Sequence, residues 1–413
     1  MNILLIQTYH YYRGGDCTYT FALAELLKSK GHEVHFFSMS HPDNLPCPDE
    51  KYFVPYIDFR ELNNRKNLIT GYEVLKRSIY SKESRKKLEN LLDEVDIDVA
   101  HIQNIHGHIT PSIFAILKKK NIPVVWTLHD YKLLCPNTHF LSDGVICEKC
   151  KGKRFFNATI HKCKKNSYSA SLVASIEAYT HSFMKITDYV DKFISPSEFL
   201  KNKFIEFGFT EDKIIVNNNF LSTEAFSYLK NEGTGYVLYL GQIEKWKGIE
   251  TLVKTASLLK NIDFKLAGDG SLLNDLQNYV KENNINNIFF LGRKTGNDLQ
   301  EIIKNSKVVV LPSEWYENFP FSIMETMAAG KPVICSNIGG LPELVTDKVD
   351  GFLFKSGNHK ELAEKIEILF NDEQLYNSFS MNAYENAKKK YDAEHHYGKL
   401  FDLYNSLIPI GEG

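Results

Sequence analysis

The sequence lacks the features that mark membrane-spanning, secreted and nucleic-acid-binding proteins. No apolar run approaches the ~20 residues that cross a bilayer, and the opening segment MNILLIQTYHYYRGGD carries neither a basic stretch nor a cleavage site. The formal net charge is only −2, whereas a general nucleic-acid-binding protein has a strongly basic domain. We therefore expect a soluble, cytoplasmic protein that has no nucleic-acid partner.

The chain is too long for one compact core. It has 413 residues, and single hydrophobic cores stop growing at about 250–300 residues. Hydrophobic residues make up 43% and charged residues 24%, which is typical of folded globular proteins and excludes a disordered or fibrous chain. Length and composition together predict two domains.

Short apolar runs alternate with amphipathic helical stretches, which is the pattern of parallel α/β sheets. The first series of predicted strands is Asn2–Ile6, Glu33–Phe37, Val99–Ile102, Val124–Leu128, Lys192–Ile194 and Lys213–Val216. The second series is Tyr236–Leu240, Phe264–Ala267, Ile288–Leu291, Val308–Leu311 and Val333–Ser336. The two series predict two sheets of similar size.

The segment between the two series predicts an interdomain linker. Asn217–Gly235 contains several Asn and Ser residues and closes with Gly-Thr-Gly. We place the domains at residues 1–222 and 223–392, followed by a C-terminal helix within 393–413. That helical stretch follows the second series, so it could pack back on the N-terminal domain.

The small net charge hides an asymmetry between the halves. Residues 1–222 hold 29 basic and 25 acidic residues, a net +4, and residues 223–413 hold 20 and 26, a net −6. The basic excess concentrates in Arg60–Asn90 and Glu148–Lys165. Such runs are usually solvated surface, but they also fit an anionic ligand or peripheral contact with the anionic headgroups at the inner face of a membrane.

Two glutamates follow a predicted strand of the second series. The segment Leu311-Pro-Ser-Glu-Trp-Tyr-Glu-Asn-Phe-Pro-Phe-Ser-Ile-Met-Glu-Thr-Met-Ala-Ala-Gly330 predicts a strand end, a loop and a helix. Glu317 falls on the loop and Glu325 on the helix. Ligands of doubly wound sheets bind at the carboxyl ends of strands, where carboxylates accept bonds from hydroxyls and helix N-termini face phosphates.

Residues of the N-terminal half occupy the same kind of position. Gly14-Gly15 separates the first strand from a predicted helix, Thr18–Lys30, so free backbone N–H groups could face an anion there. His129 follows the strand Val124–Leu128. His106 and His108 follow another strand, and either a ligand pocket or an ordinary structural role explains them.

Together these segments resemble a retaining glycosyltransferase of family four. The resemblance rests on the Glu-x7-Glu pair, on Asn-Ile-Gly-Gly-Leu-Pro-Glu at 337–343 and on Asp-Gly-Phe at 350–352. It extends through Tyr239-Leu-Gly-Gln-Ile-Glu-Lys-Trp-Lys-Gly248, Ala267-Gly-Asp-Gly270, Phe290-Leu-Gly-Arg293 and Thr127-Leu-His-Asp130. It covers nearly the whole chain and implies an α/β GT-B fold, in which two Rossmann-like domains face each other across a cleft.

The family transfers a sugar from a nucleotide diphosphate with retention at the anomeric carbon and without a bound catalytic metal. By this resemblance Glu317 stabilises the oxocarbenium-like centre, Glu325 holds the ribose hydroxyls, and Lys247 supplies a cation to the phosphates. His129 matches the family histidine near the acceptor and the reacting carbon. Because same-face attack usually explains retention in this family, we assign Glu317 as catalytic but not as a nucleophile.

One position departs from the family pattern. The arginine that usually follows the strand glycine is Gln242, which donates hydrogen bonds but carries no charge. Arg13, Lys245 or Arg293 is a candidate to compensate. The predicted catalytic residues are Glu317, His129 and Lys247. The predicted donor-binding residues are Gly14, Gly15, Gln242, Lys247, Arg293, Glu317, Asn318, Phe319 and Glu325.

Four of the seven cysteines cluster in residues 135–165, after the His129 strand. They are Cys135, Cys147, Cys150 and Cys163. One Cys-x2-Cys pair with two outlying cysteines fits a structural zinc site in a reducing compartment, with His139 and His161 as substitute ligands. Free or redox-active thiols are the alternative. We expect this basic insertion to shape the acceptor entrance.

The sequence therefore predicts transfer of a sugar from a UDP- or GDP-linked donor to a glycan or lipid-linked acceptor, as in bacterial-type surface polysaccharide synthesis. The alternatives are a nucleotide-sugar epimerase of the same fold and a non-catalytic zinc-ribbon adaptor. A nicotinamide dehydrogenase is disfavoured, because Leu273 stands where the third glycine of the dinucleotide fingerprint belongs.

Overall fold

The computed structural model describes residues 1–56, 79–222, 225, 226, 228 and 235–408. Part of the predicted linker, residues 223, 224, 227 and 229–234, lies outside the described residues, so the boundary near residue 222 stays a prediction. Residues 60–78 of the first basic stretch lie outside them as well.

The N-terminal half forms a parallel six-stranded sheet. Its strands are β1 (Asn2–Gln7), β2 (Glu33–Phe37), β3 (Val99–Asn104), β4 (Val124–Thr127), β7 (Lys192–Ser195) and β8 (Ile214–Val216). Their spatial order is β2-β1-β3-β4-β7-β8. A two-residue hairpin, β5 (Leu141–Ser142) and β6 (Val145–Ile146), lies in the insertion between β4 and β7. All six sheet strands are predicted from the sequence, because strands buried on both faces read as short continuous apolar runs.

The C-terminal half forms a second parallel six-stranded sheet. Its strands are β9 (Val237–Leu240), β10 (Phe264–Ala267), β11 (Ile288–Gly292), β12 (Val308–Leu311), β13 (Val333–Ser336) and β14 (Gly351–Phe354). The order is β11-β10-β9-β12-β13-β14. The predicted two-sheet α/β architecture is confirmed, while β14 was not predicted.

Helices cover both sheets. In the N-terminal half they are α1 (Gly15–Ser29), α2 (Lys82–Glu94), α3 (Phe114–Lys119), α4 (Phe156–Ile160), α5 (Tyr168–Phe183) and α6 (Glu198–Glu206). In the C-terminal half they are α7 (Ile249–Leu258), α8 (Leu273–Glu282), α9 (Gly296–Lys304), α10 (Phe321–Ala328), α11 (Leu341–Leu344), α12 (His359–Asn371), α13 (Glu373–Lys390) and α14 (Ala393–Leu407). Side-chain caps fix several of their starts, including Ser81, Ser167, Ser197, Asn358, Asp372 and Asp392.

The C-terminal helix α14 packs on the N-terminal sheet. Its residues Leu400 and Tyr404 are buried in one cluster with side chains of α1 and β1. His396 lies within 3.1 Å of the Tyr19 hydroxyl on α1, and Tyr404 lies 2.6 Å from His101 on β3. The chain therefore crosses between the two halves a second time after β14.

Within the part of the chain that the structure describes, no helix combines the length and the apolar character that a bilayer crossing requires.

Candidate active site

A buried ion pair joins the loops that follow two neighbouring strands of the C-terminal sheet. Lys247 Nζ lies 2.6 Å from Glu317 Oε1, and the two side chains are 15% and 6% exposed. Ser313 donates a second hydrogen bond of 2.6 Å to the same oxygen. Among the described residues, all side-chain hydrogen bonds to Glu317 go to Oε1, so Oε2 is left without one.

A left-handed glycine brings these two loops together. Lys247 ends a short 3₁₀ helix, Lys245–Lys247, and Gly248 follows with φ +71°. A Cβ at Gly248 would lie 1.8 Å from the carbonyl oxygen of Pro312, so only glycine permits this approach. The sequence Lys-Gly after β9 thereby positions the lysine against the loop after β12.

The Gly339-Gly340 turn supports Glu317 from behind. The backbone N–H of Gly340 donates a 2.7 Å bond to the carbonyl of Glu317. A Cβ at Gly340 would lie 2.0 Å from the Asn318 carbonyl oxygen, and one at Gly339 would lie 2.7 Å from the Glu317 backbone. The turn therefore fixes the backbone that carries Glu317 and Asn318.

The N-terminal half supplies His129 to the same cleft. Asn318 Nδ2 donates to the His129 carbonyl over 3.0 Å, which ties the two halves together beside Glu317. The His129 ring lies 2.8 Å from Gln103 Oε1 through Nε2. Burial lowers the pKa of His129 to about 4, with Asp16 opposing the shift. The ring is therefore neutral at pH 7.

Two helix N-termini meet across the cleft. Gly14 is the N-cap of α1 and Gly15 its first residue, and a Cβ at Gly15 would lie 3.6 Å from the Phe321 ring at the start of α10. The predicted helix start at Thr18 was three residues late. Free N–H groups of both helices thus face one region, where an anion is favoured.

Burial raises the pKa of two carboxyl groups in this region. The pKa of Glu325, on α10, rises to about 7 through burial alone. The pKa of Asp130 rises to about 6, because burial outweighs the hydrogen bond from the Lys132 N–H. Asp130 lines two of the three cavities in this region, whereas Glu325 is outside the linings of all three. Perturbed carboxyl groups in a cleft, such as Asp130, are typical of a functional site.

Three cavities follow one another from Glu317 into the N-terminal half. The first, of about 230 Å³, is lined by His129, Asp130, Tyr131, Thr138, His139, Trp315, Glu317, Asn318, Phe319 and Pro320. A small second cavity shares His129 and Asp130 with it. The third, of about 340 Å³, shares His106 and Trp126 with the second.

The two histidines that follow β3 differ in their positions. His106 lines the second and third cavities, in agreement with the interpretation that it belongs to a ligand pocket. His108 lies outside the linings of all three cavities, and its ring stacks on that of Tyr56 with 5.6 Å between the centroids. The structural interpretation therefore fits His108 better.

The insertion contacts the C-terminal half directly. The ring of His139 contacts those of Trp246 and Trp315, with centroid distances of 5.9 and 5.6 Å. Tyr316 donates a 2.9 Å bond from its hydroxyl to Glu148. Because the insertion also lines the cavity that holds Glu317, it forms part of the cleft wall.

The four clustered cysteines are near one another. Burial, reinforced by the charges of the other three thiols, raises the pKa of Cys150 to about 12. In the described ranges, however, no three His, Cys, Asp or Glu side chains are placed to hold a metal ion. The zinc site stays a prediction.

Three predicted donor-binding residues stand apart from the ion pair. Gln242 and Arg293 lie at the carboxyl ends of β9 and β11, and neither side chain hydrogen-bonds to a described residue of the pair. Phe319 lines the first cavity but is 5% exposed and packs on Tyr391, so much of its ring belongs to the core.

Sequence reasoning missed two residues of the site. Asp16, in the first turn of α1, accepts a 3.0 Å bond from Gln7 and influences the pKa of His129. Trp315 places its ring 4.9 Å from Lys247 Nζ. The acidic residue directly after Gly14-Gly15 was a visible signal for Asp16, whereas the Trp315 contact depends on tertiary packing.

Sequence comparison assigns the family. The profile of Glycosyltransferase Family 4 matches residues 13–225, just over half of the chain. The chain belongs to this family. The profile of glycosyl transferases group 1 matches residues 222–386. The protein is therefore a glycosyltransferase, and not the nucleotide-sugar epimerase or the zinc-ribbon adaptor that were the alternatives.

Individual relatives match either nearly the whole chain or less than half of it. An uncharacterised glycosyltransferase of Methanocaldococcus jannaschii is 29% identical over 398 residues, 94% of each chain. An N,N'-diacetylbacillosaminyl-diphospho-undecaprenol α-1,3-N-acetylgalactosaminyltransferase of Campylobacter jejuni is 31% identical over 173 residues, 42% of this chain and 45% of its own. The structure of Anabaena HepE in complex with UDP-glucose has a TM-score of 0.67 at 17% identity, covering 98% of this chain and 100% of HepE. The family and the structural likeness confirm the predicted GT-B fold.

Proposed function

We propose that this glycosyltransferase transfers a sugar, with retention, from a nucleotide diphosphate sugar to a lipid-linked, phosphate-bearing acceptor. The observation that carries the proposal is the buried Lys247–Glu317 pair, whose carboxylate lies in one cavity wall with His129 from the opposite half. The reaction separates an anionic diphosphate from a sugar centre that becomes positively charged. A cation beside a fixed carboxylate can stabilise both charges.

The donor diphosphate lies between Lys247 and the two helix N-termini in this proposal. Lys247 is the charged group there, and the N–H groups at the starts of α1 and α10 add partial positive charge. The protein thus neutralises the leaving group with its own side chains and backbone. Glu325, at the second turn of α10, accepts hydrogen bonds from the ribose hydroxyls.

The donor sugar lies against Glu317. Oε1 is held by Lys247 and Ser313, so Oε2 is available to the sugar. Two nearby polar atoms, Trp315 Nε1 and Asn318 Oδ1, are buried without a hydrogen-bond partner among the described residues. Because buried polar groups are normally paired, sugar hydroxyls are suitable partners for them.

In the transfer step the bond between the anomeric carbon and the β-phosphate oxygen breaks. The acceptor hydroxyl oxygen attacks the same face of the sugar, and its proton passes to the departing phosphate oxygen. Glu317 stabilises the positive charge that develops at the anomeric carbon. Neutral His129 orients the reactants by hydrogen bonding, because its pKa of about 4 leaves it uncharged.

The acceptor occupies the third cavity. Its lining includes the apolar side chains Trp126 and Phe193, and its charged lining residues are Lys132, Lys153, Lys185, Lys213 and Asp188. Lys132 is paired with Glu177, but the lining keeps an excess of ammonium groups beside apolar side chains, which suits an amphipathic, anionic molecule. The Campylobacter relative is named for a diphospho-undecaprenol acceptor, which has this chemistry.

These acceptors belong to the synthesis of surface polysaccharides. A relative from Staphylococcus aureus is named as a capsular polysaccharide biosynthesis glycosyltransferase. The UDP-glucose complex of HepE makes UDP sugars the first donors to test, with GDP sugars second.

A thermal-shift screen of UDP and GDP sugars tests the donor, because a ligand that binds the native state raises its melting temperature. The expected hit loses most of its shift in Glu325→Ala. Release of free nucleotide diphosphate should then require a polyprenyl diphosphate sugar, and NMR of the product should show the donor's anomeric configuration. Inversion, or release that is independent of every acceptor, would contradict the proposal.

A further inference from the structure

Helix α5 exposes its large apolar side chains and buries its small residues. The buried positions are Ser171, Ala174 and Ser175. The exposed ones are Tyr168, Leu172, Val173, Ile176, Tyr179 and Phe183, and the exposed fraction reaches 90% at Phe183. Surface helices normally turn such residues toward the core, so this orientation calls for a partner outside the chain.

Helix α4 extends the same face. Phe156 and Ile160 are 48% and 58% exposed. The two helices are held together, because Thr159 Oγ1 lies 2.9 Å from Ser175 Oγ and the Phe156 N–H donates to the Tyr179 hydroxyl. The apolar face, defined as these eight exposed side chains of α4 and α5, is therefore built on a fixed scaffold.

The surroundings of the apolar face are basic. Residues 144–187 contain eight basic residues, namely Lys149, Lys151, Lys153, Arg154, Lys162, Lys164, Lys165 and Lys185. They contain two acidic residues, and both are neutralised: Glu148 pairs with Lys203 and Glu177 with Lys132. Among the basic residues, Lys151 pairs with Glu206 and Lys164 is largely buried, which leaves six for contact with headgroups. Lysine and arginine beside exposed apolar side chains are typical of a helix that lies in the interface of an anionic membrane.

We propose that the apolar face docks this enzyme on an anionic lipid bilayer. Apolar side chains enter the boundary between headgroups and acyl chains, while the basic residues contact the headgroups. A second copy of the chain fits this face poorly, because self-association would bring the two basic clusters together. The inference does not rest on the proposed acceptor, although it explains how a lipid-linked acceptor would be reached.

The position of α5 connects the membrane to the cleft. Ala178, His181 and Ser182, on the same helix, line the 340 Å³ cavity. Glu177 forms a 2.7 Å salt bridge with Lys132, which lies in the loop after β4 close to His129. Docking through α5 would place that cavity beside the lipid surface.

Vesicle flotation of the full chain, without donor, tests the inference. The protein should float with phosphatidylcholine–phosphatidylglycerol vesicles and much less with phosphatidylcholine alone. The triple variant Leu172→Ser, Ile176→Ser, Phe183→Ser should lose about tenfold or more in partition coefficient. The matched control is Leu258→Ser, Phe289→Ser, Met381→Ser, which changes exposed apolar residues of the other half and should float normally.

A charge variant separates the two contributions. Lys149→Gln, Arg154→Gln, Lys165→Gln should reduce the preference for anionic vesicles, whereas Lys254→Gln, Lys281→Gln, Lys360→Gln should not. Circular dichroism and melting temperature check that each variant folds. Equal flotation of the wild type and the α5 triple variant would overturn the inference. So would a wild-type protein that does not bind vesicles and instead forms a dimer, if the α5 triple variant is monomeric.

Discussion

Lys247 and Glu317 are 70 residues apart in the chain, yet they form a 2.6 Å ion pair at the carboxyl ends of two adjacent strands. Both are largely buried, and the hydroxyl of Ser313 completes the bonding of the shared carboxylate oxygen. The pair fixes the carboxylate before any substrate arrives. In an enzyme that stabilises a cationic centre, such prior positioning lowers the cost of reaching the transition state.

Replacement of Glu317 should reduce turnover far more than stability. Glu317→Gln keeps the shape and an acceptor oxygen but removes the negative charge, so kcat should fall by about 10²–10³-fold. Donor affinity should change much less, because the proposed diphosphate contacts remain. Steady-state kinetics with the donor found by thermal shift provides the measurement.

Glu314→Gln is the matched control. Glu314 lies on the same loop, but its Oε1 accepts a 2.7 Å bond from Thr251 on α7 instead of joining the ion pair. This variant should retain near wild-type kcat. An equal loss in both variants would indicate damage to the loop and not loss of a catalytic charge.

We expect the closely packed Gly340 to be required for activity. Its φ is −82°, so alanine is conformationally allowed, but the added Cβ would lie 2.0 Å from the Asn318 carbonyl oxygen. Gly340→Ala should shift the Glu317–Asn318 backbone and lower kcat by about tenfold or more.

Gly398→Ala is the matched control for this prediction. Because no atom lies within 4 Å of the added Cβ, it should leave kcat unchanged and stabilise helix α14 by up to ~1 kcal/mol. Unchanged kcat in Gly340→Ala would show that the turn does not position Glu317.

The strands were predictable because parallel sheets buried on both faces need uninterrupted apolar segments. The missed strand β14 begins with Gly351, which reads as a turn residue. In the structure a Cβ there would lie 2.1 Å from the Val333 carbonyl oxygen, so the glycine serves a close approach between strands. The start of α1 was misplaced for a similar reason, since Gly15 reads as a loop residue but lies in the first turn.

The functional positions were predictable where a strand end and a family motif coincide, as for Glu317 and His129. Contacts between distant segments were not. His139 was considered only as a substitute metal ligand, yet its ring contacts two tryptophans of the opposite half. The apolar face of α5 was missed because a helical pattern of apolar residues normally predicts burial, and only the fold shows which side faces the solvent.

The cysteine cluster should bind about one zinc ion per chain. Burial, with a smaller contribution from the neighbouring thiols, raises the pKa of Cys135, Cys150 and Cys163, whereas a cation held among the cysteines would favour their thiolates. Metal analysis of purified protein, followed by titration with a thiol reagent, should show four cysteines protected until a chelator is added. Cys150→Ser should abolish the metal, and Cys47→Ser, outside the cluster, should not. Metal-free wild type, or fewer than four protected thiols, would support free thiols instead.

Removal of zinc should destabilise the insertion. Cys135 and Phe140 belong to the main N-terminal core, but Cys150, Phe155 and Ala158 form a small separate cluster, which leaves few apolar contacts to hold residues 147–165. A chelator should therefore lower the first unfolding transition of the wild type and leave that of Cys150→Ser unchanged. Identical melting curves with and without chelator in the wild type would contradict a structural role for the metal.

Donor binding should depend on pH through Glu325. Burial raises its pKa to about 7, so the free enzyme holds a proton there at pH 6, whereas the proposed ribose contact requires the carboxylate. As pH decreases below about 7, the affinity for a nucleotide sugar should thus fall, with a slope that approaches a tenfold loss per pH unit. The diphosphate of a nucleotide sugar is doubly esterified and does not titrate in this range, which makes it a better probe than the free nucleotide.

The raised pKa of Glu325 affects protein stability in the opposite direction: donor binding should weaken as pH falls, whereas the folded protein should become more stable. A carboxyl group whose folded-state pKa is raised favours folding at low pH, and this contribution is lost as pH rises from about 4.5 through 7. Glu325→Gln should therefore increase the free energy of unfolding by about 3 kcal/mol at pH 8 and by little at pH 4.5, while donor binding weakens and becomes independent of pH. If the variant retains the pH slope of donor binding, another group in the cleft titrates; Asp130, with a pKa of about 6, is the next to replace. The neutral amide increases stability only if the buried carboxylate was unfavourable in the folded protein. If Glu325→Gln is less stable than the wild type at pH 8, the folded protein instead stabilises the Glu325 carboxylate.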